Sequence, residues 1–365
     1  MNFDLTDDQR AIQRTARDFL ADRYKLEEVR RLALEEERGF TDEQWREIVE
    51  LGWPGLVVAE SDGGLGLGAV ELAVVQEELG YALAPTPFLS DVAAALLLGA
   101  GDEGGPRSQY LASLAAGEGR GTLALWDADA GWSPDRSSLA GRDGESGSVR
   151  LSGSKMAVPD AAAADFLVVA GADGAHFVVE AGADGLSVEP TEALDPTRKL
   201  YSVSFQDTPA AVLGGEPGAI ARAYQAIATA VAAESVGVAH RAMDMAVAYA
   251  KERQQFGRPI GAYQAVSHAC AQMLLETEGA RSVTLYAAWA LDHEPENAAL
   301  AASMAKSYAT EAGWRVPAAA LQVHGGIGFT WEHDLHFFLK RGRANLHAFG
   351  DPRWHRRRVA ELSGV

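Results

Sequence analysis

The chain is short of cysteine, of basic residues and of long apolar runs, and each shortage excludes a class of protein. Its single cysteine, Cys270, allows no intrachain disulfide and cannot build a cysteine zinc site. Only 32 Lys and Arg stand against 51 Asp and Glu, and a formal net charge of −19 would repel a nucleic acid before any specific contact formed. No apolar run approaches the length that spans a bilayer. The start, Met1-Asn2-Phe3-Asp4, has neither the basic stretch nor the apolar core of a signal peptide. A cytoplasmic protein with no nucleic-acid and no membrane partner is the expectation.

What is present is globular. Hydrophobic residues make up 47% of 365 positions, enough for two or three subdomains. The first third reads as helices. Thr6-Asp7-Asp8-Gln9 and Thr41-Asp42-Glu43-Gln44 both have the form of a capping box, and the second helix should stop at Gly52 before Pro54. The cluster Gly63-Gly64-Leu65-Gly66-Leu67-Gly68 is expected to be a loop opening a helix from Val70 to Leu79. It is not a phosphate-binding fingerprint, because no buried strand precedes it and no P-loop lysine follows.

From about Gly119 the period changes to that of strands. Thr122–Trp126 and Tyr201–Phe205 are candidates, and Ser148–Val158 alternates around a glycine turn at Gly153. Phe166–Ala170 and His176–Glu180 flank a Gly-Ala-Asp-Gly turn and should pair. Asp127 to Gly147 is the most irregular stretch. From about Gly218 three long alanine-rich helical segments follow, Ile220–Arg253, Ala262–His293 and Glu296–His324, as in an antiparallel bundle. The late basic residues Lys340, Arg341, Arg343, Arg353, Arg356, Arg357 and Arg358 read first as a solvated face, and second as a site for phosphates or an acidic surface.

Particular motifs carry more than the periodicity. Glu252-Arg253-Gln254-Gln255-Phe256-Gly257-Arg258-Pro259-Ile260, then Gln264, then His324-Gly325-Gly326-Ile327-Gly328-Phe329, together resemble the paired flavin-adenine segments of the acyl-CoA dehydrogenase family. The resemblance runs from Phe3-Asp4-Leu5-Thr6 to the final helix. It implies an α+β fold with an N-terminal helical domain (1–118), a small central β domain (119–213) and a C-terminal four-helix bundle (214–365). It also implies FAD as cofactor, an acyl-CoA thioester as substrate and an electron-transfer acceptor protein. Carried over residue by residue, it gives Arg253, Phe256, Gln264, Gln322, Gly325 and Gly326 as cofactor-binding positions. An arginine fork suits a diphosphate, and paired glycines let backbone approach a nucleotide.

The other half of the expected site departs from the family. The usual Thr-Glu-x-x-x-Gly-Ser-Asp loop is replaced by Trp126-Asp127-Ala128-Asp129-Ala130-Gly131-Trp132-Ser133-Pro134. After the retained Gly153-Ser154-Lys155-Met156, the usual Trp-Ile-Thr is replaced by Ala157-Val158-Pro159. Proline offers no amide and no hydroxyl, so that flavin contact is lost. Family chemistry needs a desolvated carboxylate to take the α-proton of the thioester. Its two family positions here hold Ile227, with Ala228 beside it, and Phe349 of Phe349-Gly350-Asp351. Glu234 and Asp351 are the substitutes to weigh. Against them stand ordinary roles, a buried partner for an arginine or amide at Glu234 and a turn residue before Pro352 at Asp351. His324, His333, His336 and His347 do not share one helical face with a carboxylate, so no metal is expected.

One good half-site and one eroded half-site resemble the base-less partner subunit of bacterial α2β2 heterotetrameric acyl-CoA dehydrogenases. Trp331-Glu332-His333-Asp334, and Phe349-Gly350-Asp351 with His355 and Arg356, look like that branch. The alternatives left open are a self-sufficient homo-oligomer using Glu234 or Asp351, and a non-catalytic scaffold of the same fold.

Overall fold

The computed structural model describes residues 4–127, 137–143 and 149–365. In chain order its helices are α1 (Asp7–Arg23), α2 (Leu26–Glu35), α3 (Asp42–Glu50), α4 (Ala69–Ala82), α5 (Phe88–Gly99) and α6 (Gly105–Ala115), then α7 (Pro217–Glu252), α8 (Gln264–His293), α9 (Pro295–His324), α10 (Leu335–His347) and α11 (Pro352–Leu362). The strands are β1 (Gly121–Ala124), β2 (Gly141–Asp143), β3 (Val149–Pro159), β4 (Phe166–Ala170), β5 (His176–Glu180), β6 (Leu186–Thr191) and β7 (Leu200–Leu213), with a small ribbon of β8 (Gln254–Gln255) and β9 (Arg258–Pro259). These elements form two compact units, each assembled from segments distant in sequence. One comprises Met1–Leu32, Ala69–Ala84 and Ala228–Val365, the other Ala33–Gly68 and Pro85–Ile227.

The first unit is helical. Its start is fixed locally: Thr6 Oγ1 accepts from the Gln9 amide at 3.2 Å while Gln9 Oε1 accepts from the Thr6 amide at 2.9 Å, the expected capping box. The middle of the bundle is alanine. Ala232, Ala280, Ala287, Ala305, Ala309 and Ala312 are fully buried together, so α7, α8 and α9 meet through small side chains that let helix axes come close. Glycine is required where α4 crosses α7: a Cβ on Gly237 would lie 1.9 Å from the Glu77 carbonyl oxygen, and one on Gly80 would lie 2.1 Å from that of Glu234.

The second unit is built on a seven-stranded mixed sheet in the order β1-β4-β5-β7-β3-β2, with β6 also on β7. The expected hairpin forms, with Phe166 opposite Glu180 and Ala170 opposite His176. Two local expectations change. Gly153 makes no turn; β3 runs straight through it, with register shifts against β7 on either side. The strand expected at Tyr201–Phe205 extends to Leu213, because its second half pairs with β3 and β5. Val168, Val169, Leu167 and Val203 are fully buried, which is the reason this stretch is so rich in β-branched residues. The second capping box is present at Thr41 and Gln44, and Gly52 follows α3 in the left-handed region at φ 74°. The glycine cluster is a loop: the amides of Leu65, Gly66 and Leu67 donate to the carbonyls of Gly55, Val58 and Leu56.

Candidate functional site

The residues proposed for the nucleotide side all lie in the first unit, near the C-terminal ends of α7 and α9 and at the start of α8. These two ends are tied by a ring stack, Tyr249 on His324, with centroids 4.5 Å apart and planes 20° from parallel. His324 is buried, and its Nδ1 donates to the Ala320 carbonyl at 2.8 Å; burial lowers its pKa, which favours the neutral ring that stacks. Arg253 follows Tyr249 by one turn, its amide donating to the Tyr249 carbonyl at 2.8 Å. Gly325 follows His324 directly. The Arg253 segment and the Gly325-Gly326 segment are thereby held to one end of the bundle. Sequence reading missed Tyr249, whose only local signal is its place four residues before Arg253.

Beyond Arg253 the chain makes a two-residue hairpin. Gln255 pairs with Arg258 across Phe256 (φ 53°) and Gly257 (φ 80°), so both turn residues are left-handed. Glycine adopts that conformation freely, but a bulky aromatic does so at a cost of about 1–3 kcal/mol. Phe256 is also 93% exposed, with Tyr263 meeting it edge-on at 6.4 Å. Tyr263 braces the hairpin: its hydroxyl donates to the Gln255 carbonyl at 3.1 Å, and the Arg258 guanidinium lies 4.1 Å over its ring. Gln264 opens α8 and Gln322 lies in the last turn of α9, and both are exposed. A Cβ built on Gly325 or on Gly326 meets nothing within 4 Å, so no packing inside the chain asks for glycine at 326. Arg253, Arg258, two amides, bare glycine backbone and an exposed aromatic ring are donors and surface suited to a dinucleotide.

The ring-side segments lie in the second unit, where residues 128–134 of the altered loop fall outside the described residues. What precedes them is tied down. Lys155, fully buried, donates to Asp127 Oδ1 at 2.5 Å, to Ser137 Oγ at 2.7 Å and to the Leu125 carbonyl at 3.2 Å. Burial works against the Asp127 charge, but Lys155 and the Ser138 amide outweigh it and hold the carboxyl below its usual pKa. Ala157 of the altered Ala157-Val158-Pro159 is left-handed at φ 52°, and Pro159 offers only its carbonyl, which accepts from Thr122 Oγ1 at 2.5 Å.

At the family's base positions, Ile227 is fully buried and Ala228 nearly so. Glu234 is buried and spoken for. Arg341 donates to its Oε1 at 2.6 Å and Asn345 to its Oε2 at 2.9 Å, and Asn345 also reaches Ser235 Oγ at 3.2 Å. Both oxygens of this carboxylate are thus engaged by donors of the same chain, the arrangement of a structural ion pair. Asp351 caps α11, its Oδ1 accepting from the Trp354 amide at 2.7 Å. Arg341 and Asn345 lie more than a hundred residues from Glu234, so nothing local in the sequence announced them. His324 and His333 meet edge-on at 4.6 Å and His336 stacks on Trp331. Among the described residues no three His, Cys, Asp or Glu are grouped to hold a metal. None of the helices described is long and apolar enough to cross a membrane.

Comparison with known proteins bears on the family and the fold. Residues 6–118 match the acyl-CoA dehydrogenase N-terminal domain and residues 220–363 the acyl-CoA dehydrogenase C-terminal domain. The chain is 33% identical over 342 residues to the acyl-CoA dehydrogenase IpdE2 of Mycolicibacterium smegmatis, covering 93% of this chain and 94% of that one. Among solved structures, a variant of the Tcur3481–Tcur3483 steroid ACAD matches with a TM-score of 0.88 and 31% identity over 98% of both chains. The ChsE4–ChsE5 complex from Mycobacterium tuberculosis matches with a TM-score of 0.89 and 27% identity, over 100% of this chain and 99% of that one. The motifs, the fold and these relatives agree, and the chain belongs to the acyl-CoA dehydrogenase family of oxidoreductases.

Proposed function

We propose that this chain is one subunit of an FAD-dependent acyl-CoA dehydrogenase, contributing the nucleotide half of a flavin site while a related subunit supplies the base. The observation that carries the reading is an asymmetry. The nucleotide side keeps a strained, 93% exposed Phe256 and the open glycines Gly325 and Gly326, whereas the base positions are apolar and Glu234 and Asp351 are engaged in structural bonds. Two of the matched structures are of paired, differently named chains, which supports an unlike partner here.

In this reading Arg253 holds the diphosphate through its fork, Phe256 lays its ring against the adenine, and the amides of Gln264 and Gln322 orient the cofactor. Gly325 and Gly326 admit its close approach. When bound, the flavin supplies the acceptor for the β-hydride of the acyl-CoA. This chain's residues would bind and orient the cofactor, the related subunit would supply the carboxylate for the α-proton, and an electron-transfer protein would be the acceptor.

The test is the visible absorption of the purified chain, read as FAD per protomer, alone and after co-expression with a related subunit. Little flavin alone, rising to about one per unlike pair, is the expected result, since each chain offers one half-site. Full flavin in the chain alone, with acyl-CoA-dependent dye reduction, would replace the reading with a self-sufficient enzyme. Absence of flavin in every assembly would replace it with a scaffold.

A further inference from the structure

Behind the turn where the family resemblance places a base, the first unit buries a lysine. Lys306 of α9 is fully inaccessible, and its Nζ donates to the Gly350 carbonyl at 2.7 Å and to the Asn345 carbonyl at 3.1 Å. Asn345 is in the last turn of α10, where carbonyls lack helical partners and the helix dipole is negative. One side chain therefore caps a helix and grips the turn beyond it. The turn needs gripping: Phe349 and Gly350 are both left-handed, at φ 54° and 99°, and such strain persists only where surroundings over-determine it. His355 adds a second hold, its Nε2 donating to the Phe349 carbonyl at 2.9 Å, and a Cβ on Gly350 would lie 2.7 Å from that nitrogen.

A buried amine is costly, and a methionine of similar length would fill the space without that cost. We infer that Lys306 is a positioning residue that, with His355, locks the Phe349-Gly350 turn in a fixed backbone conformation, preserving the frame of a base while Phe349 stands in its place. Burial brings the Lys306 amine down to about 7, with Asp351 opposing the fall. Its other charged neighbours are Arg341 and Glu234, joined to it through Asn345, with His347, His355 and Arg358 around the same turn. Burial, Lys306 and Arg358 keep His355 down to about 3, so its ring stays neutral at ordinary pH, and a neutral Lys306 amine still has two N–H bonds for its two carbonyls. The lock therefore holds on both sides of neutral pH.

The lock concerns the chain's own backbone and does not depend on the flavin reading. Amide hydrogen exchange, resolved by peptide, tests it on the full chain. In the wild type the segment 349–355 is expected to exchange as slowly as α10, despite its two left-handed residues; loop-like exchange there would overturn the inference whatever the variants do. In Lys306→Met, exchange across 349–355 should rise roughly tenfold or more while α8 stays within about twofold, as expected when two buried carbonyls lose their donor. Lys306→Gln, which keeps two N–H donors on a shorter stem, should recover part of the protection. Equal exchange in wild type and Lys306→Met would mean Lys306 merely fills space; raised exchange in Lys306→Met with no recovery in Lys306→Gln would mean that its N–H donors are not what holds the turn, and would likewise overturn the inference.

Discussion

Glu234 is the carboxylate on which the two enzymatic readings part, and its replacement by glutamine separates them. In the structure Glu234 and Arg341 are both nearly inaccessible and 2.6 Å apart, with Asn345 on the second oxygen. Glutamine keeps the shape and one acceptor but removes the Glu234 charge that faces the buried Arg341 guanidinium. Breaking a buried pair from one side typically costs about 3–5 kcal/mol. At roughly 2 °C per kcal/mol for a chain of this size, Tm should fall by about 6–10 °C. Removing both charges should undo much of that loss, since an apolar replacement of a whole buried pair is close to neutral. Glu234→Gln with Arg341→Met is therefore expected to melt nearer the wild type than Glu234→Gln alone. The assay is thermal unfolding of the wild type and the two variants, with dye reduction by the co-expressed assembly measured well below every Tm. Activity per flavin should stay within about threefold, whereas loss of a general base costs roughly 100-fold to 10,000-fold. A collapse of kcat in Glu234→Gln, with flavin content and Tm unchanged, would refute the structural role and make Glu234 the base.

Two further outcomes can be checked directly. Phe256→Asn should leave the isolated chain as stable or up to about 1 kcal/mol more so, because asparagine tolerates the left-handed turn; flavin retention by the assembly, read by absorbance after gel filtration, should nonetheless drop. Asp91 is fully buried and accepts from the Gly121 amide at 2.9 Å, and burial raises its carboxyl well above the usual range despite that bond. An acid whose folded pKa is raised contributes its full stability below its unfolded pKa and loses it as pH rises toward the folded value. Asp91→Asn should therefore raise Tm more at pH 8 than at pH 5, and an equal shift at both would show that the carboxyl titrates normally.

Much of the fold was legible along the chain because its signals are local. The capping boxes at Thr6 and Thr41 form from residues three apart, and the bundle helices start and stop within a few residues of their periodic segments. The hairpin of Phe166–Ala170 with His176–Glu180 needed only alternation and a turn. The short strand β2 and the strand β6 were not legible: β2 has three residues, and both exist because β3 and β7 offer edges to pair with. Gly153 misled for a related reason, since glycine permits a turn but long-range pairing with β7 kept the strand extended.

For the candidate site, the sequence by itself determined the chemistry available: an arginine, an aromatic, two glutamines and two glycines in family order, and apolar residues where a base would stand. Those are matters of residue identity, which no packing can alter. Tertiary structure alone decided which groups meet the buried charges. Glu234 became the partner of Arg341 and Asn345, and Lys306 the clamp on a left-handed turn, whereas Asp351 caps α11 through a residue only three places on. Whether a buried charge is a reagent or a strut depends on which groups lie within about 3 Å of it, and such neighbours, for Glu234 drawn from a helix more than a hundred residues away, leave no local trace in the chain.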